Sequence, residues 1–165
     1  MDLQRFNTDE EFARSQLASC CVARRWIDGV VAQRPFADEA RLGAAADAVW
    51  ANMSEPDLLE AFEGHPKIGD VSSLKARYAS TASLAAHEQS SVGSATDAVI
   101  ERLAAGNTAY EARFGFIFIV CATGKSAEEM CDLLEARLNN DRADELRIAG
   151  EEQRKIMQLR LEKLP

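Results

Sequence analysis

The chain has 165 residues, of which 47% are hydrophobic and 28% are charged, and its formal net charge at pH 7 is −8. This length and composition indicate one ordinary globular domain over residues 1–165. Because nucleic-acid binding needs clustered Lys and Arg, and anionic membranes repel an acidic surface, the charge argues against nucleic-acid and membrane partners.

Helix signals recur along the chain and predict an all-α fold, a compact single-domain bundle of about seven to nine helices. Predicted helices cover residues 9–32, 38–52, 55–63, 81–91, 95–111, 127–139 and 142–163, the first with a break near Cys20 and Cys21. A hydroxyl precedes an acid at the capping-box spacing, or a close variant of it, in Thr8 to Glu11, Ser54 to Asp57 and Ser126 to Glu129. Behind the third, the spacing predicts an apolar stripe of Met130, Leu133, Leu134 and Leu138.

The apolar segment FGFIFIVCA, residues 114–122, is ambiguous between strand and other structure. Its Phe and Ile content favours a strand, but no second segment of comparable quality exists for it to pair with. A lone strand would leave its backbone groups unpaired, so the segment is predicted to be irregular or helical and buried in a helical core. It is too short to span a bilayer.

The four cysteines and the N-terminal segment predict a reduced, cytoplasmic protein without a structural metal. Cys20, Cys21, Cys121 and Cys131 form no C-x-x-C pair, and the adjacent Cys20 and Cys21 cannot both point into one zinc site on a helix. The first residues, MDLQRFNTDEEF, lack the apolar run of a signal peptide.

A rigid turn, FEGHPKIGDVSS at residues 62–73, holds one of the two histidines of the chain. Gly64 stands where helices often end in left-handed geometry, and Pro66 disfavours helical backbone at His65. His65 is therefore expected to be extended, at the edge of an element. The spacing is equally compatible with a structural His65 that caps the helix and with a catalytic one.

The second histidine stands in LAAHEQSS, where His87 and Glu88 resemble the start of the H-E-x-x-H zinc signature. Ser91 occupies the position of the second zinc ligand, so that motif fails. Taken alone, Glu88 is more typical of a solvated helix residue, because glutamates are seldom buried.

The last predicted helix carries an arginine within its apolar face. Spacings of three and four residues align Leu146, Ala149, Gln153, Ile156 or Met157, Arg160 and Leu164. A guanidinium directed towards a core needs a partner, which is either an internal carboxylate or a bound one. Arg137 is a second candidate, although the nearby Asp141, Asp144 and Glu145 could hold it structurally.

Five segments together resemble the 2-oxo-4-hydroxy-4-carboxy-5-ureidoimidazoline (OHCU) decarboxylases of urate degradation. They are HPKIGD at 65–70, EQ at 88–89, YEARFGFIFIVCATGKS at 110–126, LEARLNND at 134–141 and RKIMQLRL at 154–161. The resemblance covers essentially the whole chain. It implies an all-helical, cofactor-free carboxy-lyase that acts on an anionic ureidoimidazoline, produces (S)-allantoin and usually forms a homodimer.

The resemblance also assigns roles to residues. It implies that His65 and Glu88 are catalytic, and we hypothesise that His65 is the proton donor. Substrate-binding positions would be Pro66, Ala85, Gln89, the backbone of Phe118, Ile119, Val120, Cys121 and Ala122, and the side chain of Arg160. Many members have serine where this chain has Ala85, so one hydroxyl contact is missing or is supplied by Ser83 or by water.

Two other functions are compatible with the sequence. One is a lyase or hydrolase that acts on a related ureido compound, which the mass of the product distinguishes from a decarboxylase. The other is a non-enzymatic helical interaction module that uses residues 114–122 as its binding surface. That module would expose a large apolar patch.

Overall fold

The computed structural model describes residues 1–65 and 92–165, except for the side chains of residues 92–96. Within these ranges the chain forms eight α-helices and no strand, which confirms the all-α prediction. They are α1 (Leu3–Thr8), α2 (Glu10–Cys20), α3 (Arg24–Val31), α4 (Glu39–Trp50), α5 (Glu55–Glu63), α6 (Val92–Phe114), α7 (Ala127–Arg137) and α8 (Arg142–Leu161). The predicted helix 81–91 lies outside the described residues. No helix in the described ranges is sufficiently long and apolar for a membrane span.

The start of the chain differs from the prediction in one respect and confirms it in another. Helix α1 was not predicted, and Thr8 is its last residue rather than the cap of the next helix. The cap of α2 is Asp9, whose carboxylate accepts from the backbone N–H of Phe12 at 3.0 Å. The predicted break is confirmed, because α2 ends at Cys20 and α3 begins at Arg24.

The other two capping boxes are confirmed. Ser54 with Asp57 begins α5, and Ser126 with Glu129 begins α7. The stripe predicted on α7 is partly wrong. Leu133 is 38% exposed, and the buried face carries Cys131 beside Met130 and Leu134.

The first of two compact units comprises Met1–His65 and Ile148–Pro165. Its core consists of apolar side chains from α1 to α5 and from the end of α8, among them Phe6, Leu17, Trp26, Leu42 and Met157. Trp26 also ties α3 to α4, because its indole Nε1 donates to the carbonyl of Ala46 at 3.1 Å. A buried indole N–H requires such an acceptor, so this bond fixes how the two helices meet.

The second unit comprises Pro66–Arg147, of which residues 92–147 are described. Helices α6 and α7 approach closely at Gly106, where an added Cβ would lie 2.5 Å from Cδ2 of Leu134. After α6, Gly115 has φ +80°, a left-handed conformation that glycine adopts without strain. Residues 115–126 then run without helix or strand, which confirms the irregular segment predicted around FGFIFIVCA. That residues 1–165 form one domain stays a prediction.

Candidate active site

The predicted site residues fall into three groups. His65 and Arg160 belong to the first unit, and residues 118–122 belong to the second. Pro66, Ala85, Glu88 and Gln89 lie outside the described residues. Among the residues that are described, no group of three or more His, Cys, Asp or Glu side chains could hold a metal ion.

The turn that carries His65 follows directly from the end of α5. The backbone N–H of His65 donates to the carbonyl of Phe62 at 3.1 Å. Gly64 has φ −71° and ψ −6°, so the prediction of a left-handed glycine was wrong. Glycine is needed here for space instead, because an added Cβ would lie 2.9 Å from Cγ2 of Val22. The close approach of the α2–α3 connection therefore favours glycine at the position before His65.

The His65 side chain contacts the last helix. Its Nε2 forms a hydrogen bond with Oε1 of Gln153, 88 residues along the chain. Gln153 is 1% exposed, and its neighbours on the same face of α8, Ala149 and Met157, are fully buried. The predicted stripe on α8 is thus confirmed in its middle, with Met157 rather than Ile156 in the buried position. Towards its ends it is partly wrong, because Leu146, Arg160 and Leu164 are half-buried and Leu164 lies beyond the helix. The motifs assign no function to Gln153, although an amide on an apolar stripe is a signal that sequence alone offers.

Arg160 meets a backbone carbonyl rather than a carboxylate. Its Nη1 donates to the carbonyl oxygen of Cys20 at 3.1 Å. Cys20 is the last residue of α2, where helix carbonyls lack partners within the helix. In the part of the chain that is described, Arg160 forms no ion pair. The carboxylate partner predicted for Arg160, internal or bound, stays a prediction.

The cysteines beside Arg160 are buried thiols. Burial raises the pKa of the Cys21 thiol to about 11, although the nearby Arg160 charge acts in the opposite direction. Burial also raises the pKa of Cys20. Both groups are consequently neutral near pH 7, which suits packing rather than nucleophilic chemistry.

A buried polar network in the second unit fixes the backbone near residues 118–122. The Glu145 carboxylate is fully buried and accepts from Nε of Arg137 and from the hydroxyl of Tyr110, each at 2.5 Å. Nη1 of Arg137 donates to the carbonyl of Ile119 at 2.7 Å. The prediction that a nearby carboxylate holds Arg137 is thus confirmed, and that carboxylate is Glu145. Burial and the bond to Glu145 raise the pKa of Tyr110, so its hydroxyl remains a donor.

The segment 118–122 is largely buried, apart from the exposed Ala122 and the half-buried Val120. Phe118 is 7% and Ile119 2% exposed, and Phe116 just before them is 5% exposed. An interaction module that displays residues 114–122 would leave these side chains exposed. The interpretation of this segment as a binding surface is therefore wrong. A second backbone carbonyl of the segment also has a hydrogen bond: that of Cys121 accepts from Nζ of Lys125 at 2.9 Å.

Comparison with known sequences gives a consistent result over most of the chain. A family model described as OHCU decarboxylase matches residues 7–162. The "Uric acid degradation bifunctional protein TTL" of Arabidopsis thaliana is 34% identical over 155 residues, which is 93% of this chain and 48% of that protein. An OHCU decarboxylase of Amia calva is 46% identical over 56 residues, 34% of this chain and 32% of that one. The matched part of the chain thus spans about half or less of the length of these two relatives.

Further similarity comes from one more sequence and from solved structures. An OHCU decarboxylase of Haloferax volcanii is 27% identical over 128 residues, 78% of this chain and 73% of that one. A crystal structure of OHCU decarboxylase in the presence of (S)-allantoin superposes with a TM-score of 0.71 and 31% identity, covering 94% of this chain and 97% of that one. An (S)-allantoin synthase structure has a TM-score of 0.68 at 18% identity, over 98% of this chain and 53% of that one, and supports the fold alone.

Proposed function

The chain belongs to the OHCU decarboxylase family, and from this premise we propose that it converts OHCU to (S)-allantoin and CO2. The observation that carries the proposal is His65, a rare titratable side chain at the motif position of the family's catalytic histidine. Its ring nitrogen Nε2 forms a hydrogen bond with the buried Gln153. A histidine oriented in this way by the fold suits proton transfer in a fixed direction.

The proposed reaction separates into a bond cleavage and a protonation. The bond from the ring carbon to its carboxylate breaks, CO2 leaves, and the electron pair stays on the ring as an enolate-like anion. In this species the hydroxyl-bearing carbon is doubly bonded to the neighbouring carbon that bears the ureido group. The imidazolium of His65 then gives its proton to the ureido-bearing carbon on one face, while the hydroxyl loses its proton to the ring nitrogen and becomes the carbonyl of allantoin, which produces a single enantiomer. The ordinary pKa of an imidazole side chain is about 6.5, which allows such a group to carry a proton at working pH. Fixed donors that meet the developing charge lower the barrier without an organic electron sink.

The remaining roles follow the family motifs residue by residue. Glu88 orients the hydroxyl or ureido group of the substrate and steers the protonation of His65. Pro66, Ala85 and Gln89 line the site, and the backbone of residues 118–122 fixes the ring. Arg160 binds an anionic or carbonyl group of the substrate, supplying local positive charge to a chain with a net charge of −8.

The test follows the circular dichroism of allantoin formed from OHCU that is generated in place from urate by the two upstream enzymes. Unaided decay gives racemic allantoin, so the optical signal reports only the catalysed reaction. Rapid growth of one enantiomer above the rate without protein is expected. A signal equal to that without protein would overturn the proposal. Mass spectrometry of the products would then test a related ureido substrate.

The role of Arg160 is tested by Arg160→Met, which keeps the aliphatic stem and removes the charge. Loss of one charged hydrogen-bond donor should raise KM for OHCU by about 10- to 100-fold, with a smaller effect on kcat. Arg24→Met is the matched control, because it removes the same charge from a side chain that is 87% exposed. Unchanged KM and kcat in Arg160→Met would reject the substrate-binding role.

The proposed assembly is a homodimer in the cytoplasm. It follows from the family resemblance and from the reduced state expected of the cysteines. Sedimentation velocity should give a mass of twice the 18.1 kDa chain. A mass of one chain at the concentration used in the activity assay would contradict the dimer.

A further inference from the structure

The contact between His65 and Gln153 has features that packing does not explain. Gln153 is 1% exposed and stands between Ala149 and Met157 on α8, both fully buried. Its Nε2 has no hydrogen-bond partner among the described residues. A buried amide that is half-satisfied costs free energy, and an apolar side chain of equal length would avoid that cost. The one bond that the described part of the chain gives to this amide is the bond to His65.

The same contact connects two distant parts of the first unit. His65 follows the end of α5, whereas Gln153 lies 88 residues later on a helix. A side chain on a loop needs such a support to keep one orientation, since sites built on helices are held more precisely. Gln153 therefore ties the His65 ring, which follows the end of α5, to a second helix of the same unit.

The geometry points to Gln153 as the positioning residue for His65, and this role deepens the function proposed above and rests on it. Because Oε1 of the amide can only accept, the ring nitrogen Nε2 carries the hydrogen. A neutral His65 then has its lone pair at Nδ1, so the ring gains and loses its catalytic proton at Nδ1. Gln153 touches neither substrate nor reacting atoms. It acts by fixing the orientation and tautomer of the imidazole.

The first readout is spectroscopic and does not depend on activity. With ¹⁵N-labelled histidine the chain gives two sets of ring signals, from His65 and His87, which a His87→Asn variant assigns. At a pH where the rings are neutral, we expect hydrogen on Nε2 of His65 and slow exchange of that hydrogen. Gln153→Glu, which keeps an oxygen acceptor, should retain this signal. Gln153→Met should accelerate its exchange at least about tenfold, as expected for the loss of one hydrogen bond.

The second readout is kinetic. Gln153→Met should lower kcat for OHCU by about tenfold or more and change KM by less than about twofold, since a misoriented acid impairs protonation and not binding. Gln158→Met is the matched control. It makes the same substitution on the same helix, but Gln158 donates to Gly43 and Asp47 instead. We expect it to leave the His65 ring signal and kcat unchanged.

The outcomes separate this role from the proposed function. If wild-type protein produces no optically active allantoin, the function fails, while the ring signals still report whether Gln153 holds His65. If Gln153→Met leaves both the ring hydrogen exchange and kcat as in the wild type, the positioning role is overturned. A fall in kcat without any change at the ring would also overturn it, because the effect would then be structural.

Discussion

Replacing His65 with asparagine is expected to lower kcat for OHCU by about 10²- to 10⁴-fold, the usual contribution of a general acid. Asparagine retains a polar side chain, but it has no group that gains and loses a proton near neutral pH. KM should change little, because binding of the anionic substrate is assigned to Arg160. The measurement is the initial rate of the dichroic signal at saturating substrate.

The control for this experiment is His87→Asn, which makes the same substitution at the other histidine. We expect its turnover to match the wild type. Stereospecific turnover near the wild-type rate in His65→Asn would remove His65 from the mechanism. Fast decarboxylation that yields racemic allantoin would instead show that His65 delivers the proton but is not needed for loss of CO2.

Local features of the fold were predictable because their partners lie within a few residues. The capping boxes at Ser54 and Ser126 each close within three positions, so their spacing alone identifies them. The start of α2 was misplaced by one residue because two neighbouring polar residues compete for the cap. Thr8 instead ends α1, with its hydroxyl donating to the carbonyl of Gln4 at 3.0 Å.

Long-range contacts set the limit on predicting the candidate site. The motifs identified His65 and Arg160 as site residues, but their observed partners are 88 and 140 positions away in sequence. No periodicity reports such distances. The carbonyl of Cys20, which Arg160 contacts, is a backbone group that any residue would provide, so no side-chain pattern could have indicated it.

The buried network around Arg137 lies between these two cases. Glu145 is only eight residues from Arg137, so its role as a partner was foreseeable. The hydroxyl of Tyr110 and the carbonyl of Ile119 arrive from elsewhere in the second unit and were not. The guanidinium of Arg137 thus contacts the Glu145 carboxylate, the Tyr110 hydroxyl and the Ile119 carbonyl, and a change at Arg137 should have a large effect.

Arg137→Met is expected to lower the free energy of unfolding by about 3–5 kcal/mol, because it leaves the fully buried Glu145 carboxylate without its cation. The guanidinium carbon of Arg137 also lies 4.6 Å from the centroid of the Phe118 ring, so methionine, which keeps only the aliphatic stem, removes this contact together with the ion pair. Urea unfolding followed by far-UV circular dichroism measures the effect. The double variant Arg137→Met/Glu145→Met should recover part of the loss, because the unpaired charge is then absent.

Arg102→Met is the matched control for this prediction. It removes the same side chain from an exposed pair in the same unit, where Nη2 of Arg102 lies 2.8 Å from Oε2 of Glu135. Water solvates both partners there, so their separation should cost only a small fraction of the loss at Arg137. If the two single variants lose equal stability, burial of Glu145 does not make its pairing essential. The backbone at Ile119 would then owe its position to the packing of Phe118 and its neighbours, not to the arginine.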